Sequence, residues 1–131
     1  MRFADTSFWV ALQFARDAHH AEAVTLWRDL GDSPVTTNHV LGETWTFLRR
    51  RIDHQAARAF IDAALSSQRL TVHRVDGPAE SEAWDWLRRH DERAYSFVDA
   101  TSFAVMRRLR LREALAFDGD FSAAGFLEIR T

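Results

Sequence analysis

The chain has no cysteine and no lysine among its 131 residues. The first absence removes disulfides, thiolate metal sites and cysteine nucleophiles together, and makes a reducing cytoplasm the expected setting. The second removes Schiff-base chemistry, the P-loop lysine and any lysine-assisted phosphoryl site; all 17 basic residues are arginine. No linker, repeat or low-complexity stretch divides the chain, with only 2 prolines and 5 glycines. Its densest apolar run, Phe8-Trp9-Val10-Ala11-Leu12, is far too short to span a membrane. The N-terminus shows no basic region, long apolar segment and cleavage site of a signal peptide. A formal net charge of −2 gives no global attraction to nucleic acid or membrane.

What is present suits one globular domain over residues 1–131: 47% of residues are hydrophobic and 12% aromatic. Residues 2–4 read as a short buried strand and 6–14 as a helix. Residues 17–30 repeat apolar positions at helical spacing, with Gly31 as the expected C′ residue. A strand at 35–37 precedes a helix that Asn38 is placed to cap and that runs to about Arg51. Further helices are expected at 54–66, from Gly77-Pro78 to about Arg89, and from Phe97 to about Arg110. Strands are expected at 70–75, 114–117 and 126–130. Strands alternating with helices predict an α/β domain with a mostly parallel central sheet. In such sheets, sites form beyond the C-terminal strand ends.

Four carboxylates interrupt apolar surroundings, where a charge needs a partner or a shifted pKa. Asp5 follows Phe3-Ala4, Glu43 lies between Val40-Leu41 and Trp45, Asp99 splits Phe97-Val98 from Ala100, and Asp118 ends Ala114-Leu115-Ala116-Phe117. Plain structural roles compete for each. Asp5 can cap the helix that starts at Thr6. Asp99 can reach back to the Ser96 amide in a capping box. Asp118-Gly119 is a favoured turn dipeptide. Glu43 is harder to assign this way, because it lies too deep for the capping box of its helix and shares a face with Val40 and Phe47. Asp120 adds a second charge beside Asp118, and two such acids repel unless a cation or an arginine sits between them. Taken as a set, the acids point to a divalent-metal pocket.

The histidines offer no rival site. His19 and His20 are adjacent, and His39, His54, His73 and His90 lack metal-ligand spacing. No Gly-x-Ser-x-Gly elbow is present. Trp27, Trp45, Trp84 and Trp86 are expected to fill helix interfaces. Arginines cluster at Arg49-Arg50-Arg51, Arg88-Arg89 and Arg107-Arg108. Near helix C-termini they suit the macrodipole, and together they can also form a local basic surface for phosphates. A receiver domain or a haloacid-dehalogenase-type phosphatase, each with acids at strand ends, would depend on a lysine that this chain lacks.

In order and spacing, these segments resemble a PIN domain, specifically a VapC-type toxin ribonuclease. Phe3-Ala4-Asp5-Thr6-Ser7-Phe8-Trp9 resembles the opening motif, and Thr37-Asn38-His39-Val40-Leu41-Gly42-Glu43-Thr44 the second. The run from Ser96 through Asp99 to Met106 is similar to the third motif, and Ala116-Phe117-Asp118-Gly119-Asp120-Phe121 to the fourth. The resemblance implies a metal-dependent endoribonuclease with Asp5, Glu43, Asp99 and Asp118 as catalytic and metal-binding acids. Asp120 is a further ligand candidate, and the Ser7 and Thr101 hydroxyls are supporting groups. It implies Mg²⁺, with Mn²⁺ able to substitute, since hard cations prefer carboxylate oxygens. It also implies cleavage of RNA in tRNA or rRNA loops to leave a 5′-phosphate and a 3′-hydroxyl, without a covalent nucleophile. A VapB-like antitoxin is the implied partner, in a homodimer or a toxin–antitoxin hetero-oligomer, with no membrane involved. The alternatives are a non-catalytic PIN-fold interaction module and a PIN-like nuclease outside any toxin–antitoxin system.

Overall fold

A computed structural model describes residues 1–131. Five short strands, β1 (Phe3–Ala4), β2 (Val35–Thr37), β3 (Thr71–His73), β4 (Glu113–Leu115) and β5 (Leu127–Glu128), form one sheet in the order β3-β2-β1-β4-β5. Every pairing is parallel. The helices are α1 (Thr6–Gln13), α2 (His20–Arg28), α3 (Asn38–Arg51), α4 (His54–Ser66), α5 (Gly77–Arg89), α6 (Phe97–Leu109) and α7 (Asp120–Ala123). Helix α1 packs against α2 and α3, α3 against α4 and α6, and α6 against α5.

Parallel neighbours need crossovers, and helices supply them here. The chain steps outward from β1 to β2 to β3, returns through α5 and α6 to place β4 on the other side of β1, and ends at β5. The strand order therefore reverses between β1 and β4. Phe3 pairs with both Val35 and Ala114, which makes β1 the centre of the sheet. Such a strand is buried on both faces and reads as apolar; Phe3 and Ala4 are fully buried.

Helix α6 carries the largest share of the core. Asp99 through Met106 are all buried, as expected for a helix covered on every side. The Phe103 ring meets Trp86 at 5.1 Å, Phe121 at 4.9 Å and Phe126 at 5.5 Å, while Phe121 stacks on Phe3 at 6.0 Å. A single aromatic chain thus ties α5 and α6 to the sheet, and truncating Phe103 to alanine costs about 3–5 kcal/mol by the usual cavity cost.

Several local expectations are corrected. The helix expected over 17–30 starts only at His20, because the Asp17 carboxylate accepts the His19 amide at 2.8 Å and holds a turn there. That helix ends at Arg28 with Asp29 as its C-cap, and Gly31 has no left-handed φ, since buried Leu30 leads the chain straight toward β2. Thr37, not Asn38, caps α3 through the Val40 amide at 3.1 Å. Asn38 instead accepts the Val75 amide at 2.8 Å and fixes the link from β3 to α5. Strand β3 covers only 71–73 and is exposed throughout, as an edge strand can be. Strands β4 and β5 are likewise shorter than expected, and the short helix α7 was not foreseen. Trp86 is buried, but Trp84 is 47% exposed and stacks on Phe97 at 4.2 Å.

Candidate metal centre

The reversal of strand order between β1 and β4 opens a crevice at their C-terminal ends, the usual ligand position in such a sheet. Asp5 follows β1 directly, and its amide donates to Leu115 O at 3.0 Å, locking it beside the end of β4. Asp118 lies three residues beyond β4. Helix α6 must run back across the sheet to feed β4, so its first turn, with Asp99, starts at this same edge. Asp99, Asp118 and Asp120 each present a carboxylate oxygen, all within 4.8 Å of one another.

Three of the acids share a design. Asp5 Oδ2 caps α1 by accepting the Ser7 amide at 3.1 Å and the Ser7 hydroxyl at 2.8 Å. Its Oδ1 is buried and has no hydrogen-bond partner. Asp99 Oδ2 accepts the Ser96 amide at 3.0 Å in a complete capping box. Asp118 Oδ1 accepts the Asp120 amide at 3.1 Å. Each commits one oxygen to a backbone amide, and Asp5 Oδ1 is left without a partner. Cap and ligand are compatible roles of one side chain.

The electrostatics follow from this crowding. Burial, followed by the charge of Asp118 and then of Asp99, pushes the Asp5 carboxyl up to about 8 against the opposing Ser7 hydrogen bonds. Burial, with Asp120 and Asp118 adding, raises Asp99 to about 6 although the Ser96 amide opposes it. Asp118 is raised by partial burial, then by Asp120 and Glu128. An all-oxygen donor set with an orphaned buried carboxylate oxygen and mutually repelling charges fits a hard divalent cation.

Two residues not anticipated from the sequence hold the loop that carries Asp118 and Asp120. Glu128 on β5 has a side chain only 5% exposed; its Oε1 accepts the Gly119 amide at 3.3 Å and its Oε2 the Ser122 amide at 3.0 Å. Gly119 adopts φ 83°, a left-handed conformation that glycine takes without a Cβ penalty. Arg93 approaches from the far side, pairing with Asp120 Oδ1 at 2.9 Å and donating to Asp118 O at 3.3 Å. Arg130 completes the support, reaching Ala116 O at 2.8 Å and Glu128 at 3.3 Å and lying 4.6 Å over the Phe117 ring. A signal for Glu128 was present: it interrupts Phe126-Leu127 and Ile129 as Asp5 and Asp99 interrupt their runs. Arg93, in the exposed loop between α5 and α6, had none.

Glu43 reaches the crevice from α3. With Asp5, Ser7, His19, Phe47 and Asp118 it lines a cavity of about 250 Å³. The Ser7 hydroxyl both donates to Asp5 and accepts the Phe117 amide at 3.0 Å, so it bridges the ends of β1 and β4. Thr101 departs from expectation: it is fully buried, and its hydroxyl donates to Val98 O at 2.9 Å within α6, away from the crevice. His19 was set aside as a ligand and is not in the acid cluster, but its ring stacks flat on Phe117 at 4.6 Å and forms part of the cavity wall. Elsewhere, a groove of about 270 Å³ among Trp9, Leu12, Trp27, Phe60 and Leu70 contains no titratable group, so the chemistry belongs to the acidic cavity.

A parallel sheet with this acid-lined switch point defines a PIN fold, and the chain belongs to the PIN-domain family, whose model matches residues 2–127. Within the family it groups with the VapC proteins. The 23S rRNA-specific endonuclease VapC20 of Mycobacterium tuberculosis is 57% identical over 130 residues, covering 99% of this chain and 98% of that protein. A VapC ribonuclease of Archaeoglobus fulgidus is 28% identical over 127 residues, covering 90% and 77%. The crystal structure of M. tuberculosis VapC20, described as a sarcin-ricin loop cleaving toxin, matches with TM-score 0.97 at 55% identity over the whole of both chains. A chain of a toxin-antitoxin complex from Klebsiella pneumoniae, 13% identical with TM-score 0.61 over 87% of this chain and 83% of its own, shares the fold.

Proposed function

We propose that this chain is a metal-dependent endoribonuclease toxin that hydrolyses a phosphodiester bond in the sarcin-ricin loop of 23S rRNA, and that a VapB-like antitoxin restrains it. The observation that carries the chemistry is the clustering of carboxylates, with Asp5, Asp99 and Asp118 each anchored to a backbone amide through one oxygen and the oxygens of Asp99, Asp118 and Asp120 within 4.8 Å of one another. The substrate follows the 57% identity to VapC20. Asp5, Asp99 and Asp118 would hold Mg²⁺, or Mn²⁺ in its place, with Asp120 and Glu43 as further oxygen donors. When bound, the ion neutralises the developing charge on the phosphate and lowers the pKa of water.

The remaining work falls to side chains of the chain itself. Ser7 fixes the Asp5 carboxylate by its 2.8 Å hydrogen bond and leaves Oδ1 without a partner. Glu43, on the wall of the cavity that Asp5 and Asp118 also line, would orient the attacking water and accept its proton. Arg93 balances Asp120 and limits the repulsion that the scissile phosphate meets. Because water is the nucleophile and the ribose 2′-hydroxyl is not, the products carry a 5′-phosphate and a 3′-hydroxyl.

A homodimer or a toxin–antitoxin hetero-oligomer belongs to the same reading. So does a cytoplasmic location, where ribosomal RNA is found; no helix is long and apolar enough to cross a membrane.

The test is incubation of the purified chain with an RNA oligonucleotide bearing the sarcin-ricin loop, with Mg²⁺, with Mn²⁺ and with EDTA, followed by end-group mapping. We expect a single metal-dependent cut with a 5′-phosphate, lost in Asp5→Asn. A 2′,3′-cyclic phosphate, or full activity in EDTA, refutes the mechanism.

A further inference from the structure

Helix α3 ends in three exposed arginines, Arg49, Arg50 and Arg51. None of them is in an ion pair. The arginines that end α6 are engaged: Arg107 binds Glu82 at 3.1 Å, and Arg108 binds Asp76 at 3.0 Å and Glu82 at 3.8 Å. The macrodipole accounts for basic residues at both helix ends. It does not account for one set being left without carboxylates.

The open set is organised. Glu43, Thr46, Phe47, Arg50 and Arg51 stand at i, i+3, i+4, i+7 and i+8, which is one face of a helix. Together they line a groove of about 340 Å³. Glu43 and Phe47 also belong to the wall of the acidic cavity, so the two concavities are continuous along α3. Arg49 falls outside this face. From Glu43 to Arg50 and Arg51 the helix rises roughly 11 Å, a spacing suited to a phosphate beside the one being cut. The Arg51 guanidinium lies 5.1 Å from the centre of the Phe47 ring, a cation–π pair of the kind on which a base can pack. An acidic pocket repels a polyanion, so a basic extension on its rim supplies attraction that the centre cannot.

We propose that this stripe of α3 is the binding site for the RNA strand flanking the scissile phosphate: Arg50 and Arg51 hold its backbone phosphates, and the Phe47–Arg51 pair receives an unpaired base. The assignment rests on the endoribonuclease reading above and adds to it the direction in which the strand leaves the metal centre. A single strand suits it, because an unstacked base is free to lie on the ring.

The test is steady-state cleavage of the sarcin-ricin loop oligonucleotide at several salt concentrations. It compares the wild type with Arg50→Gln/Arg51→Gln, Arg50→Lys/Arg51→Lys and Arg49→Gln. For the glutamine pair we expect KM to rise at least about tenfold with kcat within about twofold, and the slope of log KM against log salt to fall by roughly 1.4, from two lost phosphate contacts on a single strand. The lysine pair should restore the salt slope, and Arg49→Gln should match the wild type. Unchanged KM and slope in the glutamine pair overturn the proposal. So does an equal loss in Arg49→Gln, which would make total charge the cause, or a fall in kcat with KM unchanged. A wild-type chain that cleaves no RNA removes the functional reading and this one together, whereas cleavage indifferent to Arg50 and Arg51 removes this one alone.

Discussion

Asp5 and Asp99 reach the acidic crevice by a different route from Asp118 and Asp120. The first pair is held by neighbours within three residues, Ser7 and Ser96, as the caps of α1 and α6. The second pair sits on a loop whose conformation is imposed from outside, by Glu128 on β5 and by Arg93 before α6. Helix caps are cheap, local and self-correcting, so a cap that is also a ligand arrives with its position set by secondary structure. A loop beyond a strand has no such guide. It takes a nearly buried carboxylate and a guanidinium to hold two like charges at the separation an ion needs. Half of the centre is thus built by local rules and half by tertiary contacts, and the halves should respond differently to damage.

The largest expected effect lies in the locally built half. Asp99→Asn keeps an oxygen to accept the Ser96 amide while removing the charge. Cleavage should fall by more than about a hundredfold. Thermal stability in EDTA should hold or rise, because a carboxyl pushed up to about 6 by burial and neighbouring acids is relieved. Cleavage that persists at saturating metal would reduce Asp99 to a cap alone.

Next in size is Glu128→Gln, which damages only the imposed half. The amide nitrogen of glutamine would face one of the two N–H donors that Glu128 now accepts, freeing the loop. Mn²⁺ affinity measured calorimetrically should drop by about tenfold to a hundredfold, as for other residues that orient ligands. Ser96→Ala is the local counterpart: it removes a cap interaction of about 1 kcal/mol but leaves the Ser96 amide on Asp99, so affinity should stay within about threefold. Equal Mn²⁺ affinity in Glu128→Gln and wild type would erase the distinction between the halves.

The smallest effect is a pH dependence centred on Asp5. Its folded pKa of about 8 lies above the ordinary carboxylate value of 3.8. The folded state therefore holds a proton that the unfolded state has lost across that window. Stability in EDTA should be greatest near pH 4 and decline as pH rises toward 8. Metal competes with that proton, so affinity should weaken about fivefold from pH 8 to pH 7, with about one proton released per ion near pH 7. Titrations in two buffers of different ionisation enthalpy measure that proton, and zero release would remove Asp5 from the ligand set.

The sequence was most legible where chemistry and local geometry coincide. Asp5, Glu43, Asp99 and Asp118 stood out because a charge among apolar residues demands a reason, and the caps offered for Asp5 and Asp99 are both present. The misses have physical causes. Thr101 is near Asp99 in sequence, but the helix turns its hydroxyl inward to Val98 O. Asn38 is a good cap in isolation, yet Thr37 at the end of β2 is already extended and takes the role. Trp84 was expected in a helix interface with Trp86, but two positions along a helix turn it away from the core, and it lies at the surface beside Phe97.

What the sequence determined by itself was the alternation of strands and helices and the identity of the acids, because periodicity and the cost of burying charge are properties of short segments. Only the tertiary structure decided that β4 returns beside β1, and so that residues 5 and 118 face one crevice. It alone also decided that Glu128 and Arg93 would brace the loop there, since contacts between residues far apart in the chain leave no periodic trace, and that the arginines of α3 would stay free while those of α6 found carboxylates.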